Sequence, residues 1–179
     1  MSLTEMIAAL SAPTDTAMIA MVVQRLPQES RATPPGILLD ATRGVIGDRW
    51  STTRTGPGGL LPPNPDAMVT LMRWDVAEVL ARRAGVPTEI LGDNLFATLD
   101  TSAQNLPPGT ILRVGETRCV VTPKPHTGCS KFSKRVGADA WALTRADEWR
   151  TTQLRGVHLR VLEGGWAHVG DPISVASRP

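Results

Sequence analysis

Cysteine is scarce in this chain of 179 residues: there are two, Cys119 and Cys129, beside three histidines. Two cysteines cannot build an iron–sulfur cluster and form no disulfide framework, which suits a reducing, cytoplasmic setting. No run of about 18 apolar residues occurs, so no membrane span is expected. The first ten residues carry Glu5 and no basic residue ahead of a short apolar stretch, unlike a secretory leader. The net charge of +2 is too small to argue for a nucleic-acid partner. No strand–glycine-loop–helix fingerprint is present, which removes support for the dinucleotide and P-loop classes. Repeats and low-complexity segments are also missing. One absence is local: from Thr117 to Ala138 there is no Asp or Glu, although Arg118, Lys124, Lys131, Lys134 and Arg135 all fall there.

What is present describes one globular domain with a sizeable core. The apolar fraction is 41% and the charged fraction 20%, and 16 glycines with 15 prolines imply many turns and a strand-rich chain. Apolar periodicity predicts a short helix over Leu3 to Leu10 and a longer one over Trp74 to Ala84, stopped by Gly85 and Pro87. A third helix is expected over Asp139 to Arg150, and one or two helical turns after Ser130. Strands are expected at Ala17 to Leu26, whose near-continuous apolar character suggests burial on both faces, and at Ile37 to Asp40 and Ala67 to Met72. Leu91 to Leu99 includes a further short strand. Thr110 to Val114 and Thr117 to Thr122 form a hairpin around Gly115 and Glu116, and three more strands follow between Leu154 and Val175. Arg54 to Asp66, with four Pro and three Gly, reads as a loop long enough to be a lid. The sum is a mainly β barrel or sandwich with peripheral helices.

The second hairpin strand runs straight into Pro123-Lys-Pro-His-Thr-Gly-Cys-Ser-Lys-Phe132. This turn holds His126 and Cys129 three residues apart amid cations that would stabilise a thiolate and attract an anion. Three chemistries are open to the pair. They could ligate zinc, with Cys119, His158 and His168 as the remaining candidates. They could act as nucleophile and base, although no orienting partner stands out. Or Cys129 could be a soft ligand to a transition-metal cofactor whose anionic part the basic run holds. The bland alternative is a basic surface turn with an inert thiol.

Six segments together resemble one family. They are Gly44-Val-Ile-Gly-Asp-Arg-Trp50, Gly92-Asp-Asn-Leu95, Leu106-Pro-Pro-Gly-Thr-Ile-Leu-Arg-Val-Gly115, Pro125-His-Thr-Gly-Cys-Ser-Lys-Phe132, Leu154-Arg-Gly-Val157 and Val169-Gly-Asp-Pro172. Their order and spacing are similar to those of a MOSC domain, the module named after the C-terminal part of molybdenum-cofactor sulfurases. The resemblance runs from about residue 37 to residue 179, with the N-terminal helix and strand packed on it, and makes 1–179 a single domain. It implies a MOSC-type β-barrel with peripheral helices and a molybdenum–pterin cofactor. Cys129 matches the hallmark cysteine, which in reductase members ligates molybdenum and is the catalytic residue. Arg49, Lys131 and Arg155 lie in or beside matched segments and are candidates for the pterin phosphate; His126 is a further candidate cofactor contact. Asp48 and Asn94 are candidates too, although turn-making and backbone capping account for them better than a ligand role does. The resemblance implies a molybdenum-dependent reductase of N-hydroxylated or related small compounds. The alternative is a non-catalytic module that carries a persulfide or the cofactor for another protein. No pyridoxal-phosphate domain and no iron–sulfur cysteine set accompany the segments. A small-molecule substrate and a separate electron-donor or sulfur-donor protein are therefore the expected partners.

Overall fold

The computed structural model describes the backbone of residues 1–52, 54–56 and 59–179, and their side chains except at 54–56 and 60. Seven strands close a barrel: β1 (Thr16–Val22), β2 (Val69–Arg73), β3 (Leu95–Ala97), β4 (Ile111–Val114), β5 (Thr117–Val121), β6 (Val157–Glu163) and β7 (Pro172–Ser177). Around the barrel the order is β1-β7-β4-β5-β6-β2-β3. All neighbours are antiparallel except β2 and β3, which run parallel. A parallel pair needs a long crossover, and the helix α2 (Trp74–Ala84) supplies it. Its apolar spacing, its acidic first turn at Asp75 and its left-handed cap at Gly85 are all as the sequence predicts.

Alternation along the strands builds the interior. On β5, Thr117, Cys119 and Val121 point inward, and Leu112 and Val114 do so on β4. They meet Ile19, Leu71, Leu159 and Ile173 in the barrel core. A second core lies outside the barrel wall, where Met72 and Phe96 pack against Val76 and Leu80 of α2, Phe132 of α3 (Ser130–Val136) and Leu154. Strands β2 and β3 serve both cores, with Leu71 and Leu95 facing in and Met72 and Phe96 facing out. Helices α1 (Leu3–Ala8) and α4 (Ala138–Leu143) complete the outer layer.

Three expectations change. The stretch Ala17 to Leu26 is buried on both faces only in part: Met18 is exposed opposite Ala17 and Ile19, whereas Val22 faces the barrel core and Val23 the outer core. It also divides, because β1 ends at Val22, and Gln24–Arg25 then pairs separately with Arg31–Ala32. The helix expected to run to Arg150 stops at Leu143. Thr144 Oγ1 donates back to the Trp141 carbonyl at 2.8 Å, and only a 3-10 turn, Asp147–Trp149, follows. Leu154 to Gly156 form a turn before β6 rather than its first residues. The lid expected over Arg54 to Asp66 lies partly outside the described residues; Arg54–Gly56 and Gly59–Leu61 pair as short strands, and Pro65–Ala67 is a 3-10 turn. Among the described residues no helix is long and apolar enough to cross a membrane.

Burial pushes the Cys119 thiol up to about 12, and Thr117 Oγ1, 3.8 Å from its sulfur, is its polar neighbour. Cys119→Ser should therefore destabilise the protein by about 1–3 kcal/mol, because a hydroxyl loses more on leaving water than a thiol does. A urea unfolding midpoint equal to the parent's would contradict this.

Candidate functional site

Cys129 is exposed and caps the N-terminus of α3, with its carbonyl accepting from Ser133 N at 3.1 Å. The turn before it is pinned from behind. Trp141 Nε1 donates to the Gly128 carbonyl at 2.8 Å. A side chain at Gly128 would come within 2.9 Å of both the Phe132 and Trp141 rings, so only glycine lets the turn lie this close. The thiol borders a pocket of about 150 Å³ lined by six cations: Arg25, Arg31, Arg49, Lys131, Arg135 and Arg155.

They come from four local devices. The short Gln24–Arg25 and Arg31–Ala32 ladder presents Arg25 and Arg31. Arg49 opens a 3-10 turn capped by Asp48, whose Oδ1 accepts from Trp50 N at 2.7 Å. Lys131 and Arg135 lie one helical turn apart on α3. Arg155 is aimed inward by a turn in which Gln153 has φ 49 and Gly156 has φ 77. A Cβ at Gly156 would lie 1.9 Å from the Leu71 carbonyl oxygen, so this position requires glycine.

Three carboxylates offset the six cations. Asp48 grips Arg25 from both oxygens, at 2.9 and 3.0 Å, and also accepts from Arg25 N. Asp93, fully buried, accepts from Arg155 Nη1 at 2.8 Å. Glu29 reaches over Lys131 Nζ at 2.5 Å and Arg135 Nη2 at 3.3 Å. Lys131 first, and Arg135 after it, hold the Glu29 carboxyl down to about 2. The loop that carries Glu29 is strained, with Gln28 at φ 55 and Glu29 at φ 60. Arg31 has no such partner: its Nη1 donates to two backbone carbonyls, while its Nε and Nη2 are buried and unpaired among the described residues. Burial first, then Arg135, Arg49 and Arg25, push the Arg31 guanidinium down to about 10.

Two histidines complete the floor, their rings 4.4 Å apart. His126 Nε2 sits 3.3 Å from Arg155 Nη2. Burial, followed by the charges of Arg155, His158 and Arg25, pushes His126 well below its ordinary value. The same Nε2 lies 3.5 Å from Asp93 Oδ1, so a neutral ring either accepts there from Arg155 or donates there to Asp93, according to its tautomer. Arg155 also lies flat over the Phe132 ring, 4.0 Å from its centroid. Among the described residues no three His, Cys, Asp or Glu gather as a metal-binding set, so the zinc reading of His126 and Cys129 finds no support.

The family model of the MOSC domain matches residues 64–174. The chain belongs to the MOSC domain family. The YuaD protein from Bacillus subtilis shares the fold with a TM-score of 0.63 at 16% identity, over 92% of this chain and 97% of that one. YiiM from Escherichia coli matches with a TM-score of 0.59 at 19% identity, over 90% and 71%. YiiM from Geobacillus stearothermophilus gives 0.55 at 18%, over 90% and 76%. At these identities the likeness is one of fold. No curated protein matches. Five of the six sequence segments fall within the matched MOSC region, and Gly44 to Trp50 precedes it.

Of the residues nominated from sequence, the MOSC barrel brings Cys129, His126, Arg49, Lys131 and Arg155 to one pocket. Asp48 and Asn94 stand behind it. Asn94 Nδ2 donates to Asp48 Oδ2 at 3.0 Å and to the Val23 carbonyl, while its Oδ1 accepts from Thr70. Their polar atoms are occupied within the protein, so they position Arg25 and the strands rather than facing the pocket. The run without acids is not left uncompensated: Glu29 covers Lys131 and Arg135, and Arg118 pairs with Glu163 elsewhere on the surface. Sequence reasoning missed Arg25, Arg31, Glu29 and Asp93 as site residues. Asp93 lay inside a recognised segment; the other three carried no local signal.

Two outcomes are expected. Glu29→Gln should tighten binding of sulfate to this pocket roughly two- to fivefold, by removing a competing carboxylate; unchanged affinity in calorimetry would show that Glu29 does not contend with an anion. His158 is pushed down to about 4 by burial, then by Lys124, Arg155 and Arg25. Its folded value lies below the unfolded one of about 6.5, so only the unfolded chain takes up this proton between those limits. Stability should thus fall as pH drops from about 6.5 to 4, by up to about 1.4 kcal/mol per pH unit from this group. Urea midpoints at pH 7 and 5 should differ less in His158→Gln than in the parent.

Proposed function

We propose that this MOSC domain binds the molybdenum–pterin cofactor through Cys129 and serves as a reductase of small N-hydroxylated compounds. The observation that carries the reading is Arg31, a half-buried side chain with two guanidinium nitrogens buried and unpaired among the described residues, held among Arg25, Arg49 and Arg135 beside an exposed thiol. Like charges gathered out of water are costly unless an anion joins them. A phosphate-bearing cofactor with a soft metal answers both features: the guanidiniums suit the phosphate, and the thiolate suits the metal. The backbone is shaped to match. Gly92, at φ 93, lies under the pocket where a Cβ would meet Arg135 Nη1 at 2.9 Å and Arg31 Nη2 at 3.3 Å.

Arg31 and Arg49 would take the phosphate, with Lys131 and Arg135 joining as Glu29 is displaced. Arg155 is held by Asp93 and keeps His126 in place. When bound, the cofactor supplies a two-electron couple at its metal. The net reaction, R–NHOH plus two electrons and two protons giving R–NH2 and water, takes its electrons from a separate donor protein. The exposure of Cys129 also suits a second reading, in which the thiol carries a persulfide for a partner.

Protein made in a cofactor-producing host should hold molybdenum near one per chain. Cys129→Ser should lose it while the stability shifts by no more than about 0.5 kcal/mol, as is usual for exposed positions. Arg31→Met should lower retention in the same assay. Equal molybdenum in parent and Cys129→Ser would end the ligand role, and a metal-free protein whose mass is raised by one sulfur would favour the carrier.

A further inference from the structure

A second and larger cavity, about 470 Å³, lies across a shared wall from the Cys129 pocket. His126, Thr127 and Arg155 line both cavities. Its volume is in the range that holds a drug-sized ligand. The inner surface is apolar, formed by Leu106, Val121, Leu154 and Val157. Its mouth is cationic. Lys124 and Arg145 are exposed there and have no carboxylate partner among the described residues, and Arg145 stacks over the Trp141 ring at 4.8 Å. No Asp or Glu lines the cavity. A third cation, Arg150, is neutralised by Asp147. Four polar atoms in the lining residues are buried and unpaired among the described residues: His126 Nδ1 and Arg155 Nε in the shared wall, Trp149 Nε1, a donor, and Gln153 Oε1, an acceptor. Gln153 is also one of three non-glycine residues at positive φ among the described residues, a strained backbone that clusters at binding sites.

We infer that this cavity is a second ligand chamber, distinct from the Cys129 pocket, and that it takes a flat aromatic molecule bearing one carboxylate or phosphate. The apolar walls suit the ring, and the unpaired cations at the mouth suit the anion. With Asp147 already paired to Arg150, the remaining cations at the mouth repel cationic ligands and give neutral ones no charge partner. The shared wall sets one end of such a ligand against His126 and Arg155, on the side facing Cys129. That this ligand is the substrate rests on the reading of Cys129 as the redox site; that the chamber binds planar anions does not.

The full-length, cofactor-free protein would be titrated calorimetrically with naphthoate and with neutral naphthamide. Naphthoate should bind about tenfold more tightly, the worth of one charge-assisted contact. The double substitution Lys124→Ala/Arg145→Ala, at two exposed positions, should erase that preference, whereas Arg31→Met in the other pocket should leave it. Cofactor-loaded protein should bind naphthoate as well as cofactor-free protein does. Equal affinity for acid and amide, loss of naphthoate binding in Arg31→Met, or its exclusion by the loaded cofactor would overturn the inference. Failure to retain molybdenum, with naphthoate binding intact, would instead count against the reading of Cys129 alone.

Discussion

Six cations can stand at one end of this barrel because three carboxylates are brought to meet them from other parts of the chain. Asp48 holds Arg25, Asp93 holds Arg155, and Glu29 spans Lys131 and Arg135. The buried pairs are the demanding ones, since an arginine out of water without its partner costs about 3–5 kcal/mol. Glu29 differs, being half exposed and carried on a strained loop, so it is the pairing most easily exchanged for a ligand. Arg31 is the remainder of this balance. Its guanidinium is partly paired with backbone carbonyls and otherwise faces its own kind. A folded protein tolerates that arrangement where an anion is to be bound.

The barrel and the outer helical core share responsibility for the site. Strands β2 and β3 put Leu71 and Leu95 into the barrel and Met72 and Phe96 into the helical layer, so the two cores cannot shift independently. Phe132 fills the outer core and also lies under the Arg155 guanidinium. Arg155 in turn touches Asp93, His126 and the Met72 sulfur. One side chain thereby joins hydrophobic packing to the electrostatics of the pocket and forms the partition between the two cavities. Asn94 does similar work from behind, tying Thr70, Val23 and Asp48 together so that Arg25 emerges at a set height.

Much of this was legible in the residues. Helix α2, the hairpin of β4 and β5 and the glycine-framed turn that carries Cys129 all follow from short-range periodicity and turn chemistry. The errors were also physical. In β1 Met18 alternates out to solvent, and a bulge between Ile19 and Met21 then shifts the phase so that Val22 returns to the core, where the composition looked uniformly buried. Thr144 ended a helix whose apolar spacing continued beyond it.

By itself, then, the sequence determined the local facts: a barrel-forming order of strands, the glycine-framed turn carrying Cys129, and a cationic stretch around it. Those depend on neighbours a few residues away, and such neighbours can be read directly. Only the tertiary structure decided which charges meet. Glu29 lies 102 positions before Lys131, and Asp93 lies 62 before Arg155, and nothing local in either member specifies the other. Closure of the barrel and docking of α3 bring them within hydrogen-bonding reach. Coulombic energy depends on that separation in space, so the cationic pocket existed in the sequence only as scattered arginines until the fold collected them.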